Sequence, residues 1–118
     1  FIADHNINLR ALSIADTQDF GILRIICDDP KMADAALKDG GYITTVTDVL
    51  AAAISDTPGS LASILEVLSE AKVTVEYTYA FNSSKAGAYM IFRVDANQLA
   101  AAALAGAGIR TANQEDLF

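Results

Sequence analysis

The sequence has one cysteine and one histidine among its 118 residues. A single cysteine, Cys27, excludes an intrachain disulfide and favours a reducing, cytoplasmic environment. Cys27 lies in an apolar stretch, which is typical of a packed thiol rather than a reactive one. His5 has no further ligand at a spacing that metal sites use, so we expect no metal site.

Basic residues are also scarce. Eight lysines and arginines stand against fifteen aspartates and glutamates, which gives a net charge of −7. Nucleic acid and anionic membrane are poor partners for such a chain, because both bind through local positive charge. No apolar run reaches membrane-spanning length. An RNA-stacking platform of aromatic side chains needs basic surroundings. A place in a core or an interface is therefore favoured for Tyr77, Tyr79 and Tyr89.

Signatures of catalysis are missing as well. The sequence has neither a glycine-rich phosphate loop nor an acid/base pair at a useful spacing, so we expect no enzyme and no cofactor. Arg24 and Arg93 occupy corresponding places in two predicted strands, where a solvated or interface role and a ligand contact are both open. The hydrophobic fraction of 53% suggests more buried surface than a monomer needs, and hence a homodimer.

One stretch, residues 54–61, reads as a strand end, a tight turn and a helix start. Pro58 and Gly59 mark the turn. Ser55, Asp56, Thr57 and Ser60 are all residue types that cap helix N-termini. A helix start of this kind receives carboxylates or phosphates, because its first N–H groups are unpaired and its dipole favours an anion. An ordinary strand-to-helix connection has the same pattern.

Periodicity and turn residues predict the remaining elements. The predicted elements are a helix tail at 1–5, strands at 7–15 and 20–27, a helix at 30–39, a strand at 42–47, extended chain at 48–54, a helix ending at Lys72, strands at 73–81 and 88–94, a helix at 98–105 capped by Asp95 or Asn97, and a strand at 109–111. In the strand at 73–81, strict alternation places Val73, Val75, Tyr77, Tyr79 and Phe81 on one face.

The two halves of the chain repeat each other. A shift of 66 residues superposes residues 7–9 on 73–75, and a shift of 67 superposes Cys27 on Val94 and Gly41 on Gly108. The repeated unit has the order βαββαβ, which forms a four-stranded antiparallel sheet with two helices on one face. We therefore predict an α+β protein of two tandem ferredoxin-like units with side-by-side sheets, at 1–47 and 48–118.

The first copy lacks the counterparts of residues 49–66, which in the second copy form the first strand, its turn and most of the first helix. In the ferredoxin-like order that strand lies inside the sheet, and its loss leaves strand edges unpaired. We expect that the physical protein contains this segment, or that another chain supplies a strand.

The run from Asp56 to Leu61, followed at helical distance by residues 71–75, resembles the ACT domain. That family has the pattern D-x-P-G-x-L, a helix, and then a G-x-N-I strand. Residues 6–17 and 19–24 of the first copy are similar to small stand-alone proteins made of two ACT domains. The resemblance covers essentially the whole chain.

This resemblance implies a non-catalytic regulatory protein that binds a small ligand, usually an amino acid, between two ACT units. In the family, the turn and an asparagine of the facing unit form the site. The N–H groups of the turn suit a carboxylate, Asp56 suits an ammonium, and Asn8 offers both donor and acceptor. Thr74 replaces Asn8 in the second copy, so one site per chain is expected. A structural dimerisation module without a ligand is the alternative. The implied ligand-binding residues are Asn8, Leu9, Asp56, Thr57, Pro58, Gly59, Ser60 and Leu61.

Overall fold

A computed structural model describes residues 1–16, 18–55, 57–83 and 85–113. The chain forms two compact units, Phe1–Thr47 and Asp48–Phe118. The described residues form two antiparallel sheets and three α-helices, as the predicted α+β class requires. Within these ranges, no helix is both long enough and apolar enough to cross a membrane.

The second unit has the complete ferredoxin-like arrangement. Its sheet has the strand order β4-β5-β3-β6, and every neighbouring pair is antiparallel. The central strand β3 is short and pairs on both sides, with β5 and with β6. The elements are β3 (Leu50–Ala53), α2 (Ser60–Glu70), β4 (Val75–Ser83), β5 (Gly87–Val94), α3 (Asn97–Gly106) and β6 (Thr111–Ala112).

One hydrophobic core joins the two helices of this unit to its sheet. Ile64 and Leu68 come from α2, and Ala100 and Leu104 from α3, at the helical spacing that places each pair on one face. They pack against Phe92 of β5 and other strand residues, and Phe92 is fully buried. This core fixes where α2 begins relative to the end of β3.

The first unit contains a one-turn 3-10 helix (Ala3–His5), β1 (Leu9–Asp16), β2 (Gly21–Cys27) and α1 (Pro30–Asp39). β1 and β2 form an antiparallel hairpin. Asp29 caps α1, because its side chain accepts a hydrogen bond from the Met32 N–H at 3.1 Å, and Pro30 occupies the first position, as the sequence predicts. The core is small and consists of Ile7, Cys27 and Ala33 with half-buried neighbours.

The repeat is present in the backbone down to single residues. The bounds of α1 and α3 differ by the same 67 positions. Asn6 and Lys72, 66 positions apart, are the described non-glycine residues with positive φ, at 56° and 60°. β1 and β4 each have a register shift at the corresponding place, after Leu9 and after Val75.

Three predictions of local structure are wrong. The described chain has no strand at 42–47: the corresponding strand β6 pairs with β3, and no described residue of the first unit forms a counterpart of β3. Neither Asp95 nor Asn97 caps α3, whose N-cap is Ala96. Asp95 instead accepts a hydrogen bond from the Thr74 N–H at 3.0 Å. The predicted alternation along 73–81 also fails, because the register shift after Val75 places Val75 against the helix-side core, to which the buried Val73 belongs, and off the face that Tyr77 and Tyr79 share.

Candidate functional site

The turn between β3 and α2 has a defined hydrogen-bonded geometry. The Ser60 N–H donates to the Thr57 carbonyl at 3.1 Å, which closes a four-residue turn. Gly59 has φ 86° and ψ −2°, the values of the third position of a type II turn, and proline is common at the second, where Pro58 stands. A left-handed residue here requires glycine, since a side chain is strained at this φ.

The start of α2 is left without a side-chain cap. Its N-cap is Gly59, and none of Ser55, Thr57 and Ser60, whose residue types can cap a helix, does so here. The Ser60 hydroxyl instead accepts a hydrogen bond from the Ser55 N–H at 3.0 Å, which ties the turn together. In the described part of the chain, the N–H groups of Leu61 and Ala62 have no acceptor. Asp56, a predicted site residue, lies outside the described residues.

The turn borders an open cleft of about 650 Å³ within the second unit. This volume suits a small metabolite. Leu61 does not line it, because its side chain packs against the hydrophobic core; only its backbone N–H remains for a ligand. The cleft is lined by Ala53, Ile54, Ser55, Thr57, Pro58, Gly59, Ser60, Ser63, Ile64, Gly108, Ile109 and Arg110.

The sequence alone does not predict that Gly108, Ile109 and Arg110 form a wall of this cleft. This segment lies about fifty positions along the chain from the turn and reaches it through the sheet, where the Ala53 N–H donates to the Arg110 carbonyl at 2.8 Å. The repeat offered a signal: a shift of 67 places Arg110 on Ile43, so the second copy has an arginine where the first has an aliphatic residue.

Asn8, the predicted site residue of the first unit, is exposed and held by its neighbours. Its Nδ2 donates to Asp28 Oδ2 at 3.0 Å, and Arg10 Nε donates to the other carboxylate oxygen of Asp28 at 2.5 Å. Hydrogen bonds from Arg10 and then from Asn8 lower the pKa of Asp28 below its ordinary value. The amide nitrogen of Asn8 is thus directed at Asp28, and Oδ1 is the end that can accept from a ligand.

Leu9, the residue beside Asn8, has a half-buried side chain that packs against the Ile7 and Cys27 core. Its side chain therefore has a structural role. That Asn8 and Leu9 act together with the turn of the second unit stays a prediction.

Other candidate residues have structural partners. Cys27 is buried, and burial raises the pKa of its thiol, which keeps it protonated and unreactive. His5 forms a hydrogen bond with the Phe1 carbonyl through Nδ1 at 2.9 Å and stacks on the Phe1 ring. Arg93 pairs with Glu76 at 3.0 Å and donates to the Asp48 carbonyl at 3.2 Å, which ties β5 to its surroundings.

Comparison with known proteins supports the resemblance seen in the sequence. A family model described as an ACT domain pair matches residues 1–117. The solved structure of protein BT0572 from Bacteroides thetaiotaomicron superposes with a TM-score of 0.87 at 37% sequence identity. The match covers 98% of this chain and 80% of that one. No curated protein matches the chain.

Proposed function

The chain belongs to the ACT domain pair family, and from this premise we propose that it is a sensor of a free amino acid. ACT domains are regulatory rather than catalytic modules that bind small ligands and often dimerise. The proposal is a cytoplasmic, non-catalytic homodimer in which ligand occupancy is passed on to a partner. The amino acid lies between the turn of the second unit and Asn8 of the first.

The single observation that carries this proposal is the turn at Thr57–Ser60. It holds the unpaired N–H groups of Leu61 and Ala62 at the start of an eleven-residue helix, beside a cleft of metabolite size. Such a helix start favours an anion through its donors and its dipole. The α-carboxylate of an amino acid matches this requirement.

Asn8 supplies the complementary chemistry. Because its nitrogen donates to Asp28, its oxygen is available to accept from a ligand ammonium. Asp56 of the turn adds a carboxylate that suits the same ammonium. The α-carboxylate of an amino acid would thus meet hydrogen-bond donors, and the ammonium on the same carbon would meet acceptors.

The homodimer is proposed from the exposed apolar side chains of the first unit. Leu12, Ile14 and Leu23 are exposed by 54%, 73% and 51%. Large apolar groups gathered on neighbouring strands mark interaction surfaces in many soluble proteins.

A thermal-shift screen against the twenty amino acids tests the proposed function. A ligand that binds only the folded state raises Tm by mass action, so one or a few amino acids at millimolar concentration should raise it and the others should not. The absence of any shift would contradict the proposal and favour a structural dimerisation module.

Variants then locate the site. Asp56→Ala and Asn8→Ala should each abolish the shift. Thr74→Ala is the matched control for Asn8→Ala, since it changes the corresponding position of the other copy. Asp39→Ala, an exposed aspartate at the end of α1, is the control for Asp56→Ala. Loss of the shift in the two controls would contradict the placement of the site.

A further inference from the structure

We propose that Arg110 makes the cleft selective for amino acids whose side chain carries a carboxylate. This inference rests on the proposed function and adds the ligand class to it. Arg110 lines the same cleft as the turn, and its role is to bind the second carboxylate of an acidic amino acid.

The sheet holds Arg110 at the wall of the cleft that β3 forms. Ala53, which also lines the cleft, lies between two neighbours: Tyr89 is its register partner in β5, and Arg110 accepts its N–H on the other side. The short side chain of Ala53 lets these neighbours meet across it. Arg110 Nη2 donates to the Tyr89 hydroxyl oxygen at 3.0 Å.

Tyr89 is a firm anchor for this contact. It is 2% exposed, so its ring cannot change position without disturbing the unit, whereas Arg110 is exposed. An anchored guanidinium loses less conformational freedom on binding than a free one. The contact therefore holds a solvent-accessible cation in one place beside the cleft.

The charge of Arg110 is not neutralised in the part of the chain that the structure describes. Arg10 pairs with Asp28 and Arg93 with Glu76, whereas Arg110 bonds to a neutral phenol and forms no ion pair there. A guanidinium in this state retains donors for a carboxylate, which it binds in a planar, two-pronged geometry. In a chain of net charge −7, such a local cation is what an anionic ligand requires.

The two anion-binding elements have different tasks. The start of α2 takes the α-carboxylate that all amino acids share, so it cannot distinguish them. Arg110 meets the part of the ligand that differs. Glutamate and glutamine have the same shape, and only glutamate brings a charge to Arg110, so the arginine favours the acid over its amide.

Isothermal titration with L-glutamate, L-glutamine, L-aspartate and L-asparagine tests this inference. The unmodified protein should bind one of the acids at least about tenfold more tightly than its amide. A charge-assisted hydrogen bond strengthens binding by about that factor or more. Arg110→Gln should remove that preference and leave the affinity for the amide unchanged. Arg110→Lys should restore part of the preference, because it restores the charge without the planar geometry.

Two further variants keep the test decisive. Tyr89→Phe leaves the charge in place but removes its anchor, so it should weaken binding of the acid by only a few-fold. Arg93→Gln is the matched control, because it makes the same substitution at an arginine whose partner is Glu76. It should leave the preference for the acid over its amide unchanged. If Arg110→Gln does not fold, Arg110→Lys and Tyr89→Phe still measure how far the preference for the acid depends on the anchored guanidinium.

The outcomes separate the two proposals. Equal affinity of the unmodified protein for acid and amide, or an unchanged acid preference in Arg110→Gln, would overturn the role of Arg110 and leave amino-acid sensing intact. Binding of none of the twenty amino acids would overturn both.

Discussion

The two units have corresponding elements, but the described residues of the second unit form the larger sheet and the larger core. In the second, β5 lies between β4 and β3, and two helices cover the sheet. In the first, β2 pairs with β1 alone among the described residues, and α1 is the one α-helix there.

Burial shows what those elements contribute. Phe92 and Leu104 are fully buried in the second unit, whereas their counterparts Ile25 and Leu37 are only half-buried. The second unit buries its sheet under α2 through Ile64 and Leu68, whereas α1 is the one α-helix among the described residues of the first unit. In the second unit, the strand-turn-helix segment that contributes to the core also contains the turn proposed to bind the ligand, so packing and the proposed function depend on one piece of chain.

The largest expected effect comes from truncating the side chains at corresponding positions of the two cores. Phe92→Ala should lower the free energy of unfolding by about 3–5 kcal/mol, because it removes a fully buried ring. Ile25→Ala, at the matching position, should cost clearly less, about 1–2 kcal/mol, because its site is already half-open to water. Urea unfolding followed by circular dichroism measures both. Equal losses would contradict the unequal packing of the units.

The turn between β3 and α2 gives the next effect. Gly59→Ala should cost about 1–2 kcal/mol, since alanine is strained at φ 86° while its Cβ would meet no atom within 4 Å. Gly87→Ala is a matched control with φ 95° and the same open surroundings. We expect similar losses of stability from the two substitutions and loss of amino-acid affinity from Gly59→Ala alone. If both variants bind normally, the turn is not part of the site.

Much of this architecture follows from the sequence. The repeat and the spacing of residues such as Ile64 and Leu68 predict the βαββαβ order, and Pro58 with Gly59 predicts the turn. The strand predicted at 42–47 fails because a strand needs a neighbour, and that requirement lies outside the segment itself. The strict alternation predicted along 73–81 fails at Val75 for a similar reason, since a single strand's pattern carries no information about the partner strand.

The candidate site divides in the same way. Local residue types identify Thr57–Ser60, because a turn is encoded by its own residues. They do not identify Arg110, whose place in the cleft depends on the pairing of β3 with β6. Nor do they indicate that the amide of Asn8 is oriented by Asp28, which follows it by 20 positions.

Lowering the pH should weaken the contacts that Asp28 makes with Asn8 and Arg10 in the first unit. The pKa of Asp28 is lowered by its bonds with Arg10 and Asn8, so its stabilising contribution is fully present above the unfolded-state pKa of about 3.9 and is lost as pH falls through the lower folded-state pKa. Asp28→Asn should therefore be less stable than the unmodified protein at neutral pH, and the difference should be smaller at pH about 3, below the unfolded-state pKa. Urea midpoints at both pH values measure this. A difference that does not change with pH would contradict the assignment.

The smallest effect comes from the matched left-handed residues that precede β1 and β4. Lys72→Gly should remove strain, because lysine is strained at φ 60° and glycine is not. Glycine also adds backbone entropy to the unfolded chain, which offsets part of this gain, so the net increase in the free energy of unfolding should be about 0.5 kcal/mol. Asn6→Gly should gain nothing, because asparagine tolerates this conformation. Thermal unfolding of the two variants compares them, and a larger gain at Asn6 would contradict this explanation.

The central claim is that the cleft of the second unit binds an amino acid through the start of α2. Its most direct test is a titration of isotope-labelled protein with the amino acid that gives the largest thermal shift, followed by the backbone amide signals in NMR. We expect the signals of Ser60, Leu61 and Ala62 and of Gly108–Arg110 to move with saturation, while that of Gly87 in the same unit stays in place. Signals at the start of α2 that remain unmoved while the ligand binds elsewhere would contradict the claim.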